Sequence, residues 1–186
     1  VTPENVQTLL SSFDLAIFAC GAQKPRALSW DNMPQSGVSY ALDYLKAANT
    51  AVMDGSVSPL SAAGKHVVLI GAGDSASDCA AMAMRQGCKS LVQLVRRPKE
   101  DYSGALDYAH EEALARFGGE IRRFQTQAVS LGSDAHGALC SVTCSDGETL
   151  EAELLLIASG FSGCEDEATC AAAGAAIPVL TAGDME

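Results

Sequence analysis

Residues 65–97 read KHVVLIGAGDSASDCAAMAMRQGCKSLVQLVRR, and this stretch decides the fold. Its β-branched apolar run at 65–70 predicts a buried strand, and the alanine-rich stretch at 74–86 predicts a helix. Gly87 stands where helices commonly end. A second apolar run, 91–95, predicts another strand. Strand, helix and strand in this order are typical of a parallel, doubly wound sheet.

The turn between the first strand and the helix matches the pattern G-x-G-x-x-[GA] with Gly71, Gly73 and Ala76. The first glycine permits a tight turn, the second leaves room for a pyrophosphate, and the alanine lets the helix pack closely on the sheet. Free N–H groups and the positive dipole end at the helix start attract phosphate. Ser75 adds a hydroxyl donor, whereas Asp74 is also favourable there as an N-cap without any ligand. The sequence therefore predicts a Rossmann-like dinucleotide-binding loop.

The end of the second strand selects between nicotinamide cofactors, because it faces the adenosine ribose. An acidic residue there binds the 2′-hydroxyl of NAD, whereas arginine accommodates the 2′-phosphate of NADP. This chain has Arg96 and Arg97 at that position, in a basic segment from Arg85 to Lys99 that contains no acidic residue. A solvated basic loop is the alternative interpretation. Guanidinium groups form paired hydrogen bonds with phosphate, so the sequence favours NADPH as the cofactor.

The downstream segment continues the pattern and then changes it. Residues 108–117 predict a helix, and residues 121–124 predict a short strand. Three further runs with turns between them then predict an antiparallel meander, at residues 128–131, 139–144 and 150–158. The predicted fold class is α/β, a Rossmann-like parallel sheet with an antiparallel three-stranded β-meander.

The upstream segment has three parts. An apolar run at residues 15–21 predicts a strand, residues 38–48 have the apolar spacing of a helix, and residues 54–64 have the Gly, Ser and Pro content of a linker. The upstream strand ends in Ala-x-Gly at Gly21. The apolar run at 154–160 ends in the same way.

Composition argues against several classes of protein. The net charge of -11 argues against nucleic acid and membranes as partners, and no apolar run approaches the roughly 20 residues of a membrane span. The seven cysteines contain no CxxC pair, so no metal site is predicted, and free thiols fit a reducing cytoplasm. No residue has specific support as a catalytic acid or base.

Several segments together resemble the small subunit of NADPH-dependent glutamate synthase and its relatives among the flavoproteins with two dinucleotide-binding domains. The segments are VVLIGAGDSASDCAAMAMRQG with the following LVQLVRRP, the upstream LAIFACGAQKPR and GVSYALDYL, and the downstream LLLIASGFSG. The resemblance covers nearly the whole chain.

This resemblance implies that the chain is a fragment of a longer protein. Residues 1–60 would link from a FAD domain, 61–160 would form the NADPH-binding domain, and 161–186 would return to the FAD domain. Gly160 would mark a crossing between the domains, and Asp184 would approach the FAD. The family's FAD glycine loop and amino-terminal iron-sulfur cysteines have no counterpart in this sequence.

The resemblance also implies the activity and the partners. NADPH would donate a hydride to FAD in the full-length protein, and the fragment alone would be inactive. The implied partners are the missing FAD and iron-sulfur portions and a large glutamate synthase subunit or another electron acceptor. A non-catalytic NADP-binding regulatory or scaffold module is one alternative. A thioredoxin-reductase-like enzyme is another, although its redox CxxC has no counterpart in residues 50–66.

Overall fold

The computed structural model describes residues 1–19, 21, 22, 24–101, 108–163, 167–174 and 179–181. The chain divides into two compact units. One unit is Leu28–Ser159, and the other combines Val1–Ala27 with Gly160–Glu186. Among the helices in the described ranges, none is both long and apolar enough to cross a membrane.

A five-stranded parallel sheet forms the centre of the Leu28–Ser159 unit. In sheet order its strands are β3 (Val38–Tyr40), β10 (Leu154–Ile157), β4 (His66–Ile70), β5 (Ser90–Val95) and β6 (Arg122–Phe124). Three helices connect strands that follow each other in the chain: α2 (Ala41–Asp54), α3 (Asp74–Arg85) and α4 (Tyr108–Phe117). This arrangement confirms the predicted Rossmann-like fold.

The two faces of the sheet are buried against different layers. Val67 and Leu69 lie in a core cluster with residues of all three helices. Val68, between them, points to the opposite face and lies in a second cluster with Leu131 and Val142. Parallel sheets covered on both faces have strands that are apolar along their whole length. All four residues of β10 are accordingly buried.

The second cluster is completed by the predicted antiparallel meander, whose strands are β7 (Ala128–Ser133), β8 (Leu139–Cys144) and β9 (Thr149–Glu151). The prediction of one antiparallel strand over residues 150–158 is wrong. The chain leaves the meander after β9, and β10 instead pairs in parallel with both β3 and β4. The burial pattern explains why the predicted strand is two strands. β9 alternates between exposed and buried residues, whereas β10 is buried throughout.

The Leu28–Ser159 unit begins before residue 61 and includes β3 and α2. Val38–Tyr40 is a strand and not the start of a helix, because it forms an edge of the parallel sheet beside β10. Part of the segment expected to be a linker is packed, although most of its residues are exposed. Ala62 is fully buried, and its N–H donates to the Oε1 atom of Gln86 at 2.7 Å. Turn-forming residues here make an ordered connection within one unit.

The other unit is formed by segments from both ends of the sequence. Its elements are α1 (Val6–Leu10), β1 (Ala16–Phe18), β2 (Lys24–Pro25), β11 (Phe161–Gly163), α5 (Glu167–Gly174) and β12 (Val179–Thr181). β1 pairs in parallel with β12, and β2 pairs antiparallel with β11. Each end of the sequence therefore supplies strand partners for the other.

Candidate dinucleotide-binding site

Gly71 makes the turn out of β4, and only glycine fits there. Its φ angle is 122°, a conformation that side chains disfavour. A Cβ atom on Gly71 would lie 2.2 Å from the carbonyl oxygen of Ala158, which follows β10. The N–H of Gly71 donates to the carbonyl of Leu94 in β5 at 3.1 Å. The turn is therefore packed between the two strands that flank β4.

Gly73 is a glycine for a different reason. It is the N-cap of α3 with an ordinary φ of -89°, and it is exposed. A Cβ atom added to it would meet no atom within 4 Å. Neither the backbone nor internal packing therefore requires glycine at this position. Open space beside the backbone suits a group that approaches from outside, as the sequence predicts for a pyrophosphate.

The first turn of α3 presents free donors. The N–H groups of Ala76 and Ser77 bond to the carbonyl of Gly73, at 2.9 and 3.1 Å. Those of Asp74 and Ser75 have no acceptor in the described part of the chain. Ala76 is fully buried in the helix-side core. Because Gly73 is the N-cap, the alternative interpretation of Asp74 as the N-cap is wrong. Asp74 is the first residue of the helix, and it is exposed.

Arg96 and Arg97 directly follow β5 and are exposed. Neither guanidinium forms an ion pair or a hydrogen bond with the residues that the structure describes. The backbone there is held by the end of β6: the N–H of Gln125 donates to Arg97 O at 3.3 Å, and that of Thr126 donates to Val95 O at 3.2 Å. β4 and β5 are parallel neighbours. The glycine turn and the arginines therefore lie at the same end of the sheet, where the carboxyl ends of the parallel strands meet.

The two remaining predicted site residues are not tested by the structure. Gly160 belongs to the other unit, where its carbonyl accepts a hydrogen bond from the N–H of Arg26 at 2.9 Å. Asp184 lies outside the described residues. A role for either residue at a cofactor stays a prediction.

Two further residues shape the loop and were missed from the sequence. Ala158 lies against Gly71, although 87 residues separate them in the chain, and no local pattern could indicate that contact. Gln93 is buried in β5, and its Nε2 atom donates to the carbonyl of Gly71 at 2.8 Å. The signal for Gln93 was present in the sequence, since it is the only amide side chain within the LVQLV run.

Two cysteine thiols in the core of this unit have raised pKa values. Burial raises the pKa of the Cys79 thiol to about 12, and burial also raises the pKa of Cys88. Both thiols are therefore protonated near neutral pH. His66 bonds to Ser90 Oγ at 2.8 Å, at the amino ends of β4 and β5, opposite the glycine turn. Within the described ranges, no cluster of His, Cys, Asp and Glu could hold a metal ion.

A tight glycine turn, an open helix start and an exposed arginine pair at the carboxyl ends of parallel strands are features typical of dinucleotide-binding domains. The family described as pyridine nucleotide-disulphide oxidoreductase matches residues 4–179. The chain belongs to this family, and it is therefore a member of a family of oxidoreductase enzymes.

Individual relatives agree with this assignment. The chain is 35% identical over 147 residues to the glutamate synthase (NADPH) small chain of Bacillus subtilis, a match that covers 70% of this chain and 30% of that protein. It is 26% identical over 192 residues to the glutamate synthase (NADH) of Schizosaccharomyces pombe, over 84% of this chain and 9% of that protein. The chain thus spans less than a third of either relative.

A solved structure shows the same fold. A ferredoxin reductase from Rhodopseudomonas palustris superposes with a TM-score of 0.57 at 25% identity, over 85% of this chain and 37% of that chain. Together the matches place the chain among the pyridine nucleotide-disulphide oxidoreductases and show its similarity to part of a glutamate synthase small chain.

Proposed function

We propose that this chain is the NADPH-binding part of a flavin-dependent oxidoreductase similar to the glutamate synthase small chain. In the full-length protein, residues 71–76 would hold NADPH, which would supply the hydride that reduces FAD. The observation that carries the proposal is the exposed pair Arg96 and Arg97, without partners in the described chain, at the same sheet edge as the open loop at Gly73.

The loop fits the pyrophosphate of a dinucleotide. The space beside Gly73 lets phosphate oxygens approach the backbone, and the free N–H groups of Asp74 and Ser75 donate to them. The helix dipole of α3 adds a favourable field at this end. The Ser75 hydroxyl is a further donor. Binding and orientation are thus the chemistry that these residues supply.

The arginine pair fits the 2′-phosphate that distinguishes NADPH from NADH. A planar guanidinium forms two parallel hydrogen bonds with a phosphate group. The two curated relatives differ in the nucleotide that their names give, NADPH for the bacterial protein and NADH for the yeast protein. The names of the relatives therefore do not decide between NADPH and NADH for this chain. Its own residues Arg96 and Arg97 favour NADPH.

The other parts of the account follow from the resemblance to the small chain. Residues 61–160 would hold the nucleotide, residues 1–60 and 161–186 would connect to the FAD domain, and Gly160 and Asp184 would belong to the flavin side. The partners are the FAD and iron-sulfur portions of the same protein and a large glutamate synthase subunit or another electron acceptor. The cytoplasm is the compartment that the free thiols favour.

The flavin assignment is tested by lengthening the chain. We expect the 186-residue chain to purify without flavin absorbance and without NADPH oxidation by dyes. A longer protein that includes the upstream flavin segment should be yellow and should reduce dyes with NADPH. Asp184→Ala in that protein should weaken FAD retention on gel filtration, whereas Asp31→Ala, which removes an exposed loop carboxylate, should not. Stoichiometric FAD on the 186-residue chain would contradict the proposal.

A further inference from the structure

Gln93 is a polar side chain in an otherwise apolar strand. It is 3% exposed, and its neighbours Leu94 and Val95 are also buried. Its backbone N–H already donates to the carbonyl of Ile121 at 2.8 Å, so the sheet does not use the side-chain amide. An amide buried without a partner destabilises a protein. A leucine or valine at this position would have no polar group that needs a hydrogen-bond partner.

The partner of Gln93 is the glycine turn itself. Its Nε2 atom donates to the carbonyl of Gly71 at 2.8 Å. The N–H of Gly71 donates to the carbonyl of Leu94 at 3.1 Å. Two consecutive residues of β5 therefore bind both polar groups of the Gly71 backbone. One contact is ordinary backbone bonding, and the other exists only because residue 93 has an amide.

The contact sets the direction of the next peptide group. A trans peptide is planar, so the N–H of Ala72 points away from the carbonyl oxygen of Gly71. No cis peptide bond occurs among the described residues. With the Gly71 oxygen held by Gln93, the Ala72 N–H points away from β5, and it has no acceptor in the described chain. Rotation of this peptide would present a carbonyl oxygen in place of a donor.

We propose that Gln93 is a positioning residue for the phosphates of the nucleotide. It holds the Gly71–Ala72 peptide so that the Ala72 N–H is available to the pyrophosphate oxygens. Gln93 itself does not touch the ligand. The inference rests on the proposed function, because it extends the set of donors in the same loop.

The test compares two variants of Gln93 with a matched glutamine. Gln93→Met keeps the length of the side chain and removes the donor. Gln93→Glu keeps a donor only while the buried carboxyl is protonated, and burial raises the pKa of such a group. Gln86→Met is the control. Gln86 accepts hydrogen bonds from Tyr44 Oη at 2.9 Å and from the N–H of Ala62 at 2.7 Å, at the opposite end of α3.

We expect Gln93→Met to raise the Kd for NADP⁺ about tenfold. This is the effect of losing one hydrogen bond to the ligand, from the Ala72 N–H to the pyrophosphate, near 1.4 kcal/mol. The ratio of the Gln93→Glu Kd to the parent Kd should increase as the pH rises from about 5.5 to about 8, because the ionised carboxylate no longer donates. Gln86→Met should lower the thermal midpoint and leave the Kd unchanged. Calorimetric titration gives each Kd, and circular dichroism gives each midpoint.

Two results would overturn the inference: a folded Gln93→Met protein with the parental Kd, or a Gln93→Glu ratio that does not change with pH. Failure of the proposed function has a different signature, because the parent itself then does not bind NADP⁺. The amide resonance of Ala72 in ¹H–¹⁵N spectra tests the loop without nucleotide. It should shift in Gln93→Met and stay in place in Gln86→Met, and an unshifted Ala72 resonance in Gln93→Met contradicts the positioning role.

Discussion

Gly73→Val should abolish NADPH binding while the protein stays folded. No atom lies within 4 Å of an added Cβ, and the φ of -89° suits any residue, so the fold tolerates the side chain. The branched group would occupy the space in which the pyrophosphate meets the helix start. Loss of two charge-assisted hydrogen bonds, at about 1.5 kcal/mol each or more, raises the Kd at least about a hundredfold. Calorimetry measures the Kd, and the thermal transition reports the fold.

Gly71→Ala is the matched comparison, because it places a smaller group on the other glycine of the same loop. Here the added methyl would overlap the carbonyl oxygen of Ala158, at 2.2 Å, and the φ of 122° disfavours a side chain. We expect a clear fall in the thermal midpoint, in contrast to Gly73→Val. If Gly73→Val binds NADPH as tightly as the parent, the phosphate loop lies elsewhere in the chain.

The double variant Arg96→Ala, Arg97→Ala should lose the preference for NADPH. Each hydrogen-bonded charge contributes about 1.5–3 kcal/mol, so removing both should raise the Kd for NADPH by about 150-fold or more. The Kd for NADH should change little, because NADH has no 2′-phosphate for these side chains to bind. Parallel titrations with both nucleotides measure the two effects.

The control for this double variant is Arg85→Ala with Lys89→Ala, which removes the same charge from the same basic segment. Arg85 ends α3 and Lys89 precedes β5, at the edge of the sheet opposite the glycine turn. A general electrostatic effect would weaken NADPH binding equally in both double variants. A specific contact weakens it only when Arg96 and Arg97 are removed. Unchanged NADPH affinity in the Arg96, Arg97 variant would contradict the assignment of the cofactor selector.

The local parts of the fold could be predicted from the sequence. The strand at 66–70, the helix at 74–85 and the glycine after it are each specified by neighbouring residues. The position of β10 could not be predicted in this way, because its partners β3 and β4 are far away in the chain. Parallel pairing is non-local, so the run LLLI indicates burial on both faces but not which strands it joins. The strand at Val38–Tyr40 could not be predicted for the same reason, because its partner β10 is distant in the sequence.

In the candidate site, too, local features could be predicted from the sequence and non-local contacts could not. The motif predicted a tight turn at Gly71 and open space at Gly73, and the structure adds that Ala158 is the residue that requires glycine at position 71. Arg96 and Arg97 were predicted from their position after a strand, and the structure shows that both are exposed. The buried contact from Gln93 to Gly71 depends on the side-by-side register of β4 and β5, which the sequence of either strand alone does not specify.

The loop of residues 71–76 is proposed to hold NADPH. Titration of the 186-residue protein with NADPH and with NADH, side by side in a calorimeter at the same ionic strength, tests it most directly. We expect one NADPH per chain and a Kd for NADH at least about a hundredfold higher, because NADH lacks the 2′-phosphate and its charge-assisted bonds. Equal affinity for the two nucleotides, or no binding of NADPH by the folded protein, would contradict it.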